Sequence, residues 1–331
     1  MDQHDASLPA RHVRGGFLIM DTSALPDYLR AFNLSGLTPS LAGLEFVERS
    51  LRGVIRRLYR WGRPDAETVV LLPPFGVTFL LVARLAALLA REYHVLVWES
   101  AGSPDPSCPA AEDDFSLDVQ SADIEVMVGD TTARSYHFVG WCQAAQLAVH
   151  AIATRDRAPR TMTWIAPGGF GQRLVVPEFD RCALPVYLAI ERQGPAAADK
   201  LGRILDKYRA APLDAPLTGE WLTMLHLASP AMTHIFARYM KCFADHQPIV
   251  APLLGSALDQ VPTQLLHSRD DTYSHYSESV QIARNHPSVE LHLMDKGGHF
   301  QVFDDPAPLA ARVSAFIRSS QTTPAPVVTS C

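Results

Sequence analysis

Tyr136-His137-Phe138-Val139-Gly140-Trp141-Cys142-Gln143-Ala144-Ala145 is the stretch on which the reading of this chain turns. Its first four residues carry an apolar strand signal, and the segment from Gln143 through Val149 reads as a helix rich in small residues. A glycine-x-nucleophile-x-small pattern between a strand and a helix makes a nucleophile elbow, a tight turn that lifts the central side chain above the sheet. Here the central residue is Cys142, not serine, and it precedes a helix N-terminus, where the helix dipole favours an anion. Attack of a thiolate on a carbonyl carbon gives a thioester, which stays reactive toward other thiols. The chemistry expected is acyl transfer. The pattern alone also fits an inert, buried cysteine, and the order of the remaining pieces decides between the two readings.

Downstream, Val261-Pro262-Thr263-Gln264-Leu265-Leu266-His267-Ser268-Arg269-Asp270-Asp271 reads as a buried strand that delivers an acid at its C-terminal end. Val289-Glu290-Leu291-His292-Leu293-Met294 is another strand, followed by Asp295-Lys296-Gly297-Gly298-His299. Nucleophile, acid and histidine thus follow one another in the chain order of an α/β-hydrolase, each just past a strand. The chain resembles that superfamily over residues 66–318. Upstream, Thr68-Val69-Val70-Leu71-Leu72-Pro73-Pro74-Phe75-Gly76 looks like the family's strand and oxyanion loop, with Pro73 and Pro74 where His-Gly usually stands, which leaves the loop geometry open. His94-Val95-Leu96-Val97-Trp98-Glu99-Ser100-Ala101-Gly102 looks like the next strand with its acid-x-x-Gly turn. The resemblance implies a mostly parallel central sheet flanked by helices, with a helical lid insertion. It assigns Cys142 as nucleophile, His299 as base and acid, and Asp271 as the residue that orients His299, and it makes the backbone N–H groups of Gln143 and Phe75 the oxyanion hole. Asp270 competes with Asp271, since a one-residue change in the strand end exchanges them. Asp271 is preferred because the superfamily's acid usually lies three residues past a glycine position, held here by Ser268. His267, His137 and His94 lie within or beside strands and read as hydrogen-bonded core histidines.

The 331 residues, 47% of them hydrophobic, suffice for a large core and suit one α/β domain with an insertion. Residues 1–65 are expected to hold an extension with a basic helix, roughly residues 41–61, with Arg49, Arg52, Arg56, Arg57, Arg60 and Arg63. Residues 66–168 and 258–318 form the expected core, and residues 169–257 a helical lid in which Leu201, Ile204, Leu205 and Tyr208 recur at helical spacing. Residues 319–331 read as a disordered tail rich in Ser, Thr and Pro. No apolar run is long enough to span a bilayer and the N-terminus lacks a leader pattern, so a cytoplasmic protein is expected. Five cysteines without C-x-x-C spacing argue against a disulfide framework or a metal site, and a net charge of -6 argues against nucleic acid as a partner.

The elbow cysteine in a lidded hydrolase layout is similar to the cysteine-dependent aminoacyl transferases of nonribosomal peptide pathways, of the syringomycin and coronamic acid type. That resemblance implies movement of an aminoacyl or related acyl group between the phosphopantetheine thioesters of carrier proteins, with acyl carrier or peptidyl carrier domains as partners and no cofactor beyond the carrier's arm. A serine would trap the acyl group as a more stable oxygen ester, whereas a cysteine keeps thioester exchange nearly balanced. A type II thioesterase or another cysteine-dependent α/β-hydrolase is the alternative, and a non-catalytic binding module is a third. Polyhydroxyalkanoate synthases also use an elbow cysteine, but their motif runs into Gly-Gly where this chain has Ala144-Ala145. The charges of Arg52 to Arg63, or of Lys200, Arg203, Lys207 and Arg209, are candidates for a face that docks an acidic carrier.

Overall fold

The computed structural model describes residues 12–13, 35–51, 54–98, 115–129, 135–155, 157–172, 174–204 and 217–322. In chain order these form β1 (His12–Val13), α1 (Thr38–Leu41), β2 (Glu45–Leu51), β3 (Val54–Trp61), β4 (Thr68–Leu72), α2 (Leu80–Leu89), β5 (His94–Trp98), α3 (Leu117–Gly129), β6 (Tyr136–Trp141), α4 (Ala144–Thr154) and β7 (Thr161–Ile165). Six α-helices then occur among the described residues before the next strand: α5 (Glu178–Cys182), α6 (Leu184–Gln193), α7 (Pro195–Ile204), α8 (Gly219–Thr223), α9 (Pro230–Val250) and α10 (Leu254–Gln260). The chain closes with β8 (Thr263–Ser268), α11 (Ser277–Asn285), β9 (Glu290–Met294), α12 (Gln301–Asp304) and α13 (Ala307–Thr322).

The nine strands of the described residues join one sheet in the order β1-β2-β3-β5-β4-β6-β7-β8-β9. The pairs from β5 through β9 are parallel, while β2 and β3 run antiparallel at the other side. Parallel strands need crossover helices, and those helices bury both faces. Every residue of β4, β5, β6, β7 and β8 is accordingly buried, which is why these segments read as unbroken apolar runs. Strand β9, at the edge, is only partly buried. This is the α/β-hydrolase fold, and it has a functional consequence. The chain crosses from β5 over β4 to β6, so the crevice at the carboxyl ends of β4 and β6 is the switch point where such sheets bind ligands. Phe75 and Cys142 lie just beyond those two ends.

The expected basic helix over residues 41–61 is instead the β2–β3 hairpin. Tertiary pairing and side-chain type select strands over the expected helix. Val54, Ile55, Tyr59 and Trp61 are β-branched or aromatic, suited to a pleated sheet. Cross-strand register sets Glu45 opposite Arg60 and Glu48 opposite Arg57, whose side chains pair at 3.3 Å. Strand β3 also completes a ladder with β5, which a helix cannot do. The charges expected to form a docking face are largely committed or beyond description: Arg57 pairs with Glu48, Arg203 with Asp199 inside α7, and Arg52, Lys207 and Arg209 lie outside the described residues. Helix α13 runs to Thr322, four residues into the expected tail, and the rest of that tail lies outside the described residues, as does the turn at residues 99–102.

Tyr59 is fully buried and stacks on Phe79, with ring centroids 3.7 Å apart. Tyr59→Ala should therefore lower stability by about 3 kcal/mol or more, the usual cost of emptying a buried aromatic site. Urea unfolding followed by tryptophan fluorescence measures this, and a loss below about 1 kcal/mol would show that the hairpin is not part of the cooperative core.

Candidate active site

Cys142 occupies the left-handed backbone region at φ 55°, one of two non-glycine described residues with positive φ. Such a conformation costs on the order of 1–3 kcal/mol and persists only where its surroundings impose it. Three features do so. Its N–H donates to the carbonyl of Ile165 at 2.8 Å, tying the turn to the end of β7. A Cβ at Gly140 would lie 2.7 Å from Phe138 Cε1 and 3.3 Å from Ala144, so only glycine fits there. Ala144, fully buried at the start of α4, is correspondingly small. The next strand ends continue the pattern: Ala166 N–H donates to Leu266 O at 2.8 Å, and Arg269 N–H to Met294 O at 2.8 Å.

Past the end of β8, Asp271 is buried and its Oδ2 accepts from Nδ1 of His299 at 2.8 Å. Its Oδ1 accepts from the backbone N–H groups of Tyr273 and Ser274, both at 2.8 Å. Burial alone would raise the Asp271 carboxyl, but His299 and His267 outweigh it and hold the group well below the usual carboxylate range. For His299 burial works toward the neutral form, yet the charges of Asp271 and Cys142, and hydrogen bonds to both, push it up to about 10. Asp270 does different work. Its carboxylate accepts from the N–H of Gly298 at 2.8 Å, fixing the glycine pair that delivers His299. Trp141 donates from Nε1 to the carbonyl of His299 at 3.1 Å, so the elbow and the histidine loop are also tied directly. The structure therefore brings Cys142, His299 and Asp271 together, and leaves Asp270 beside them.

Gln143 is the residue at the N-cap of α4, where a helix leaves its backbone donors without intrahelical partners. Phe75 is buried after Pro73 and Pro74, and Gly76 turns the chain at φ 69° with Phe236 and Tyr239 packed against it. Above Cys142 lies a cavity of about 200 Å³, roofed by Tyr187, Phe236 and Met240 of α6 and α9 and bordered by Tyr273 and His299. Two contributors escaped sequence reasoning. His267, read as a core histidine, is indeed buried, but its Nε2 also stands 3.3 Å from Asp271 Oδ2, giving the acid a second histidine. Glu278 accepts from the N–H groups of Gly169, Phe170 and Gln172 at 2.9–3.0 Å and shapes the loop beside the cavity. Neither has a local motif, since each acts on a segment distant in the chain.

A family model described as the alpha/beta hydrolase family matches residues 69–312. A protein assigned as the carbamate hydrolase RutD of Pseudomonas syringae pv. syringae is 22% identical, over 76% of this chain and 94% of its own length. Among solved structures, the thioesterase domain from the curacin biosynthetic pathway superposes with a TM-score of 0.58 at 15% identity, covering 82% of this chain and 99% of that one. Haloalkane dehalogenase DbeA from Bradyrhizobium elkani gives a TM-score of 0.66 at 15% identity, covering 84% and 99%. At that identity the structural likeness speaks to the fold alone.

Removing the carboxylate charge leaves burial to act on His299 unopposed by its main partner. In Asp271→Asn the imidazole should therefore lose its proton at a clearly lower pH than in the wild type, as read by the His299 ring resonances. The wild-type pair stabilises the fold in a defined window. The Asp271 contribution is lost as pH falls below about 4, and that of His299 is complete below about 6.5 and lost as pH rises through about 10. The stability gap between wild type and Asp271→Asn should accordingly narrow at both extremes, and a gap independent of pH would contradict the ion pair.

Proposed function

From the premise that this chain belongs to the alpha/beta hydrolase family, we propose that it is an acyl-thioester enzyme working through an acyl-Cys142 intermediate. The observation that carries this reading is the hydrogen-bonded array of Cys142, His299 and Asp271 at the floor of a cavity. The Cys142 sulfur attacks the carbonyl carbon of a thioester while His299 carries the positive charge that balances the thiolate. Negative charge develops on the carbonyl oxygen and is received by the N–H groups of Gln143 and Phe75. The intermediate collapses, the carbon–sulfur bond to the outgoing group breaks, and His299 gives its proton to the departing thiolate, which leaves as a thiol. His299, now neutral, takes a proton from the acceptor, which attacks the acyl-Cys142 carbonyl and regenerates the thiolate. Asp271 stays ionised throughout and stabilises the charged imidazole.

Water is the acceptor favoured by the comparisons, since relatives are named for carbamate hydrolysis and the hydrolase family model covers the catalytic positions. This makes the enzyme a thioesterase in its simplest form. A specific observation supports a second acceptor: the nucleophile is a thiol, and its thioester returns its acyl group to another thiol with little loss of free energy. On that reading the protein passes an aminoacyl or related acyl group from one carrier-protein phosphopantetheine thiol to another. The helices between β7 and β8 act as a lid over the intermediate in either case.

Incubation with an acyl-loaded carrier protein should add the acyl mass to wild-type protein at Cys142 and leave Cys142→Ala unmodified, as seen by intact-protein mass spectrometry. His299→Ala should slow acylation by about 100-fold to 10,000-fold. Release of free acid that an added acceptor carrier does not suppress identifies water as the acceptor, and label passing to that carrier identifies transfer. Normal turnover by Cys142→Ala would overturn the acyl-Cys142 reading.

A further inference from the structure

The cavity above Cys142 contains a polar arrangement that the chemistry at the sulfur does not use. Nδ1 of His226 lies 2.8 Å from the carbonyl oxygen of Thr223. A carbonyl only accepts, so Nδ1 carries the ring proton and Nε2 presents a lone pair. The Tyr187 hydroxyl is 2.7 Å from that Nε2 and donates to it. Its proton is committed, and the phenolic oxygen has only acceptor capacity left. Burial keeps the arrangement in one state at neutral pH, because it lowers His226 to about 4 and raises Tyr187 above the ordinary phenol range.

Packing holds the two side chains in place. His226 stacks on Phe236 with centroids 3.7 Å apart and planes within 10°, and Tyr187 meets the same ring edge-on at 5.1 Å. Tyr187, His226 and Phe236 all line the cavity that opens on Cys142. The rest of that wall is largely carbon, from Phe179, Met240 and Phe243. An acceptor in such a wall loses water when a ligand enters and regains a partner only if the ligand brings a donor.

We infer that Tyr187 and His226 form a hydrogen-bond-accepting subsite in the acyl cavity, selecting acyl groups that carry a hydroxyl or amino donor over plain alkyl chains. The inference rests on the acyl-Cys142 reading and names the substrate feature that reading leaves open. A cationic amine meets no opposing lysine or arginine among the described lining residues, where Asp180, Glu220 and Glu278 supply the acidic groups. Discrimination by a buried acceptor of this kind is strong because the analogue lacking the donor leaves the site unpaired.

The test measures the rate of acyl-Cys142 formation from N-acetylcysteamine thioesters of butanoate, 3-hydroxybutanoate, 3-aminobutanoate and 3-oxobutanoate. In the wild type at least one donor-bearing substrate should acylate about tenfold faster than butanoyl, and the hydroxy and amino arms show which donor is read. Tyr187→Phe should bring that ratio to about one. In His226→Phe the Tyr187 proton is released from its acceptor, so the preference should turn toward the 3-oxo substrate; this variant serves where Tyr187→Phe fails to fold. A wild-type ratio near one, or a ratio that survives Tyr187→Phe, overturns the subsite alone. Absence of acylation by every substrate overturns the subsite together with the acyl-Cys142 reading.

Discussion

The left-handed turn at Cys142 is held by a stair of backbone hydrogen bonds, in which each strand end is fastened to the next: Cys142 to Ile165, Ala166 to Leu266, Arg269 to Met294. A parallel sheet makes this possible because all its carboxyl ends lie on one edge and its register is set by buried faces. Cys142, Asp271 and His299 sit one to five residues beyond the last strand residue, so their separation inherits the strand spacing and not the flexibility of long loops. Strain at one residue is sustained because every neighbouring contact opposes its release. Gly140 and Ala144 are the steric part of that opposition, and the Ile165 carbonyl is the polar part.

Two adjacent acids illustrate how narrow the margin is. Asp271 faces inward to His299 and His267, while Asp270 faces the Gly297–Gly298 turn. One carboxylate sets the charge of the imidazole and the other sets its place. Burial works against the ionised form of Asp271, so its low proton affinity depends on two histidines and two backbone donors acting together. Removing any one partner leaves a charged group with fewer compensating contacts in a site from which water is largely excluded.

The core was legible from sequence where local pattern and global fold agree. Buried parallel strands announce themselves as apolar runs, and the elbow announces itself through Cys142 flanked at fixed spacing by Gly140 and Ala144, the two residues that sterics keep small. The register after β8 was legible only to within one residue, and it is the Ser268-to-Asp271 turn, with Asp271 N–H donating to Ser268 O, that places the two acids. The β2–β3 hairpin was not legible in its own stretch of sequence, because its strand identity comes from pairing with β5, some forty residues away. His226 and Tyr187 carried no signal at all. Their meeting depends on how α6 packs against the segment before α9, and long-range packing leaves no periodicity in either stretch.

The helices that roof the cavity leave the sheet after β7 and return at β8, and these two strands are hydrogen-bonded neighbours. Because the pair is parallel, with Met162 beside Thr263 and Ile165 beside Leu266, the segment leaves at the carboxyl edge of the sheet and returns to its opposite edge, a crossover that α10 completes. The register of those two strands is set by their own ladder, so the helices ahead of α10 can be lengthened, shortened or exchanged without altering the strands that position Cys142, Asp271 and His299. Two parts of this architecture are thus separable: the sheet edge carries Cys142, Asp271 and His299, and the helices of the crossover shape the cavity above them.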